Sequence, residues 1–103
     1  MIKIQINKTN NKYSSLIVSG HSNYDEHGKD IVCAGVSAIV TGGINALGLE
    51  NKKQVSCKVR DGYVNVDVLD LNNDRLQLIM NVIIVQLKSI EESYKKYIKI
   101  YEE

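Results

Sequence analysis

The chain has 103 residues, with 13 Lys and Arg against 12 Asp and Glu for a formal net charge of +1, and no proline or tryptophan. That length gives one domain with a real core, near the small end for independent stability, and the balanced charge excludes both a basic field that would hold nucleic acid and an acidic tail. No stretch reads as a signal peptide and the apolar runs fall short of a bilayer, so a soluble cytoplasmic protein with no membrane partner is expected.

Ile2, Ile4 and Ile6 alternate with Lys3, Gln5 and Asn7, the period of a half-buried strand. The turn residues KTNNK (8–12) lead into a second strand, YSSLIVSG, which ends at Gly20. The missing side chain of Gly20 permits a sharp exit or the close approach of another group. His21 follows, and then the polar loop SNYDEHGK (22–29), in which Gly28 can act as the hinge of a flap.

Asp30 stands before an apolar run and is the natural N-cap of a helix whose first turn holds Ile31, Val32 and Cys33. Small residues at 34, 38, 42 and 46 line one stripe of that helix, as expected for tight packing on a sheet. A second hairpin follows: Val55, Cys57 and Val59 alternate with polar residues, Asp61-Gly62 turns the chain, and Val64, Val66 and Val68 return. From Asn72 or Asn73 as N-cap, one long helix is expected to the end of the chain, with Leu76, Met80, Ile83, Leu87, Ile90, Tyr94 and Tyr97 on one side. Its run VIIV (82–85) is apolar on more than one face, which suits packing on the sheet and on a second subunit. Glu91 with Lys95 and Glu92 with Lys96 are spaced as supporting ion pairs of the solvated end.

The expected architecture is α+β in the order β-β-α-β-β-α: a mainly antiparallel sheet packed with two helices, a single domain over 1–103, and a homodimer. On this frame the end of the second strand and the start of the first helix face each other, so His21 and Cys33 come within reach. The first-turn position places Cys33 among free N–H groups at the positive helix end, which favours a thiolate and offers donors to an oxyanion; the nearby Asp30 carboxylate works against a second negative charge. On residue type alone, a lone Cys in a small helix is usually a buried hydrophobe and a lone His after a strand usually a capping or surface residue, and Cys33 and His21 read so first.

Three further readings follow from the titratable residues. His27 sits in the loop and reads as solvated. Cys57 reads as core, and an intracellular chain would keep it and Cys33 reduced rather than paired. Positions 21, 27, 33 and 57 match no compact ligand spacing, so no metal is expected.

The segment GHSNYDEHGKDIVCAGVSAIVTGGINALG (20–48) resembles the signature of the ribosomal-processing cysteine proteases of the Prp type: Gly-His, a short variable loop, Gly-x-Asp-Ile-Val-Cys-Ala and a small-residue helix. The stretch LNNDRLQLIMNVIIVQLKSIEESY (71–94) is similar to that family's last helix. The resemblance implies a dimeric endopeptidase, without metal or organic cofactor, that removes the N-terminal extension of a large-subunit ribosomal protein. It implies Cys33 as nucleophile and His21 as general base, with Gly20, Gly28, Asp30 and Ser37 as supporting members of the motif. It also implies that the loop between His21 and Cys33 is a flexible cover. Asp30 orients His21 or caps the helix, and its place before the helix already explains the cap. Two other readings stand beside the protease: a non-enzymatic dimeric ribosome-associated binding module with Cys33 merely packed, and a thiol redox sensor, for which Cys57 is a doubtful resolving thiol.

Overall fold

The computed structural model describes residues 1–26 and 28–103; the reading of His27 lies outside them. In chain order it comprises β1 (Ile2–Thr9), β2 (Lys12–Ser19), α1 (Ile31–Asn51), one 3₁₀ turn (Lys52–Gln54), β3 (Val55–Arg60), β4 (Tyr63–Val68), α2 (Asp74–Ser93) and β5 (Ile98–Glu102). The sheet runs β3-β4-β2-β1-β5. Its pairs are antiparallel except β1 with β5, where Ile2 to Ile6 run parallel to Ile98 to Glu102.

Both hairpins form where the period-two patterns place them. Asn10 and Asn11 take φ of 51° and 66°, the left-handed pair that matches the twist of two flanking strands in a two-residue turn. Ile2, Ile4, Ile6, Leu16, Val18, Val66, Val68 and Ile98 form one apolar core with the buried residues of α1 and α2.

The last helix stops earlier than its period suggests. It ends at Ser93, where the Tyr94 N–H bonds back to Ile90 and Glu91 carbonyls, and the chain then turns into β5 on the free edge of β1. Leu76, Met80, Ile83 and Leu87 form its buried face under an Asn73 cap, whereas Tyr94 and Tyr97 lie beyond it. The Glu91 carboxylate, expected to pair with Lys95, accepts the backbone N–H of Ile100 at 2.7 Å instead.

The small-residue stripe of α1 also lies elsewhere. Ala34, Ala38 and Gly42 are exposed, because the buried face is Val32, Val36, Val40, Gly43 and Leu47. Two residues along a helix is about 200° of rotation, so a stripe beginning at 34 is opposite one beginning at 32. The larger valines bury more apolar area and take the inward side. Close approach of the helices occurs at Gly43 instead, where an added Cβ would lie 2.5 Å from Ile83 Cδ1.

Extended by its 3₁₀ turn to Gln54, α1 holds an 18-residue window with a mean hydropathy of 1.7 and is, by length and composition, long and apolar enough to cross a membrane, contrary to the reading from apolar runs alone. Its valine face belongs to the core. Cys57 is exposed rather than buried, since β3 is the outer strand of the sheet. Both cysteines are free thiols.

Candidate active site

The chain leaves β2 through Gly20, which has φ +87° and would place a Cβ 2.4 Å from the Met1 carbonyl oxygen. Only glycine fits such a backbone approach. The Gly20 N–H bonds to the Gly62 carbonyl at 2.9 Å, so the strand end is tied to the β3–β4 turn. That tie delivers His21 onto the turn: a Cβ at Gly62 would sit 3.0 Å from the imidazole Nε2.

On the other side of the site, Asp30 is the N-cap of α1. Its Oδ1 accepts the N–H groups of Val32 and Cys33, both at 3.0 Å. Its Oδ2 accepts the Tyr24 N–H at 3.0 Å and the Ser22 hydroxyl. Burial alone would raise the Asp30 pKa, but these donors outweigh it and hold the carboxyl down at about 2. The bonds account for both carboxylate oxygens, and none comes from His21; the carboxylate organises the helix start and the entry of the loop.

Ser22 is the residue that sequence reasoning missed. It is buried, its N–H donates to Cys33 Sγ at 3.4 Å, and its Oγ lies 3.3 Å from the same sulfur. Eight residues separate it from Asp30 across an irregular loop, so no periodicity marks the contact. Asp61 and Gly62 were legible as a turn but not as neighbours of His21.

The loop is anchored at one point by Tyr24, whose ring packs edge-on against Tyr94 at 5.7 Å and Tyr97 at 5.0 Å. Gly28 takes φ +89°, a left-handed conformation that suits glycine just before the helix.

Two grooves meet at Cys33. One, of about 320 Å³, is walled by Val18, Val36, Val40, Val59, Tyr63 and Val64; the other, of about 490 Å³, is bordered by Asn23, Asp25, Gly28 and Asp30. His21, Cys33, Ser37 and Asp61 line both. A peptide laid across this junction would present a carbonyl to the sulfur with the imidazole on the same wall. Cys33 Sγ is hydrogen-bonded to Ser22 rather than to His21, so the thiol and the base share a cavity without being joined. The expectation that first-turn N–H groups are free for an oxyanion is not met at residues 32 to 34. Asp30 Oδ1 holds the N–H groups of Val32 and Cys33, and the Asp30 carbonyl takes that of Ala34 at 3.0 Å.

Residues 1–99 match the family model described as Cysteine protease Prp. The chain is 37% identical over 91 residues to the ribosomal processing cysteine protease Prp of Staphylococcus aureus, covering 86% of each. It is 34% identical over 110 residues to the protein of the same name from Bacillus subtilis, covering 97% of this chain and 96% of that one. Among solved structures, it is similar to the essential ribosomal processing protease Prp from S. aureus in complex with a covalently linked product peptide, with TM-score 0.95, 34% identity and full coverage of both chains.

Proposed function

This chain belongs to the Prp family of ribosomal processing cysteine proteases and is a cysteine endopeptidase, and from that premise we propose that it removes the N-terminal extension of a large-subunit ribosomal protein precursor by a Cys33–His21 dyad. The observation that carries the residue assignment is the junction of the two grooves, where a thiol and an imidazole line both. A non-enzymatic binding module has no need of a base at that point.

In the proposed reaction the Cys33 S–H proton passes to the His21 imidazole and the thiolate sulfur bonds to the scissile carbonyl carbon. The C–N bond then breaks, the leaving amine takes the proton from the imidazolium, and the extension remains as a thioester. Water next gives a proton to His21 while its oxygen attacks the thioester; the C–S bond breaks and the proton returns to sulfur. Asp30 and Gly20 support the pair through the backbone: one fixes the start of α1, the other fixes where β2 ends. Gly28 sets the last bend of the loop, and Ser37 lines the junction one helical turn beyond Cys33.

The chain works as a single domain in the cytoplasm, as a homodimer, and without metal, organic cofactor, nucleic acid or membrane. Leu78, Val82 and Val85 leave an exposed apolar stripe along α2, which supports the dimer. Light scattering after size exclusion reads its mass.

The test of function is incubation of the purified protein with the full-length precursor of the ribosomal protein from its own source, read by intact mass. One N-terminal truncation is expected. A precursor that stays whole but co-elutes with the protein would move the assignment to the binding module.

A further inference from the structure

We propose that Ser22 is a positioning residue that holds the Cys33 S–H in a hydrogen bond to its own oxygen, and so unengaged with His21, until a substrate displaces the contact. The proposal rests on Cys33 being the nucleophile.

A serine hydroxyl has one proton to give and two lone pairs to receive with. The Asp30 carboxylate, ionised at any pH well above about 2, is acceptor-only and takes the one Ser22 proton. One acceptor site of Oγ is directed at the Tyr24 N–H, 3.4 Å away, and the other at Cys33 Sγ, 3.3 Å away. With its proton committed, Oγ can only accept from sulfur, so the S–H points to Ser22. The backbone N–H of Ser22 meets the same sulfur at 3.4 Å and fixes it from a second direction. A thiolate at that position would face an oxygen lone pair. To be stabilised by the hydroxyl it would have to draw the proton from a charge-assisted bond to Asp30. The backbone N–H is a donor that either form of the sulfur accepts, so it is the hydroxyl oxygen that keeps the proton on sulfur, and His21 receives that proton once the sulfur leaves Ser22.

Among the described residues, the titratable and charged groups lining the grooves at Cys33 are Asp30 at its own helix cap, Asp25 in the loop, His21 at the end of β2, and Arg60, Asp61 and Tyr63 at the β3–β4 turn. Replacing Ser22 changes only Asp30 among them: it loses the hydroxyl donor and keeps the N–H groups of Tyr24, Val32 and Cys33.

The experiment is the pH profile of Cys33 alkylation by iodoacetamide in a Cys57→Ser background, comparing Ser22, Ser22→Ala and Ser22→Thr, with folding checked by circular dichroism. Loss of one net hydrogen bond from the thiol should make Ser22→Ala react about five-fold faster near pH ~6.5 and move its profile to lower pH, with the high-pH plateau unchanged. Ser22→Thr, which keeps the hydroxyl, should follow the parent. An unchanged or slower Ser22→Ala overturns the proposal, as does a rise of equal size at every pH, plateau included, since that reports loosened access. Should Ser22→Ala not fold, the infrared S–H stretch of Cys33 in the Cys57→Ser protein decides: a stretch lowered as in a donating thiol supports the contact, and a free-thiol stretch overturns it. Alkylation needs no peptide cleavage; cleavage that survives Cys33→Ala would refute the nucleophile assignment while leaving the alkylation result to judge Ser22.

Discussion

Replacing Asp30 by Asn removes the charge and leaves an isosteric side chain that can still cap a helix, which makes it the sharpest probe of how the start of α1 is held. In the parent, one carboxylate oxygen serves the helix N–H groups and the other serves the Tyr24 N–H and the Ser22 hydroxyl. An amide has one oxygen and can satisfy only one of these sides. The folded state depresses the Asp30 pKa from 3.8 to about 2, which corresponds to about 2 kcal/mol of stability. Because the folded value is the lower one, that contribution is fully present above the ordinary value and is lost as pH falls toward and through about 2. About half of it is gone by pH ~3. Urea unfolding of the parent and Asp30→Asn at pH ~6 and pH ~3 is the assay. The variant should be less stable at the higher pH, and the gap should narrow by about 1 kcal/mol at the lower one. Other carboxylates titrate equally in both proteins and cancel in the difference. A gap that is the same at both pH values would refute the assignment of that stability to the Asp30 charge.

Gly20→Ala should lower stability by about 2 kcal/mol or more, read as melting temperature, because the new methyl meets the Met1 carbonyl at a positive φ; an unchanged melt would contradict the close approach. In α1, Gly43→Ala should destabilise by about 1–3 kcal/mol through overpacking on Ile83. Its neighbour Gly42 has open space, so Gly42→Ala should stabilise by about 0.5–1 kcal/mol, and chemical unfolding separates the two. Gly62→Ala should displace the His21 imidazole and reduce kcat about ten-fold with little change in KM, whereas equal kcat would show that the turn does not set the base.

The hairpins and both helix starts were legible because their signals are local: alternation in Ile2 to Asn7 and Val55 to Val68, and a short polar residue at Asp30 and Asn73. The strand β5 was not, since Ile98 and Ile100 are too few to announce a period and the preceding Glu-Lys spacing extends a helical pattern. What makes residues 98–102 a strand is the open edge of β1, nearly a whole chain away in sequence. The spacing in α1 shows which small residues share a stripe but not which way that stripe faces, and the valines decided it. At the candidate site, Gly20, His21, Asp30 and Cys33 stood out by type and position, and they are gathered around two grooves that share His21 and Cys33. Ser22 did not, because its meaning depends on the path of the loop that folds it between Asp30 and the sulfur.

The central claim is that Cys33 carries the acyl group and His21 moves its proton. Acid-quenching the protein during turnover of its precursor and mapping the adduct by mass tests it most directly. A thioester of the N-terminal fragment on Cys33, absent from Cys33→Ala and strongly reduced in His21→Ala, is the predicted result; cleavage that persists in Cys33→Ala, or an adduct on any other residue, would contradict it.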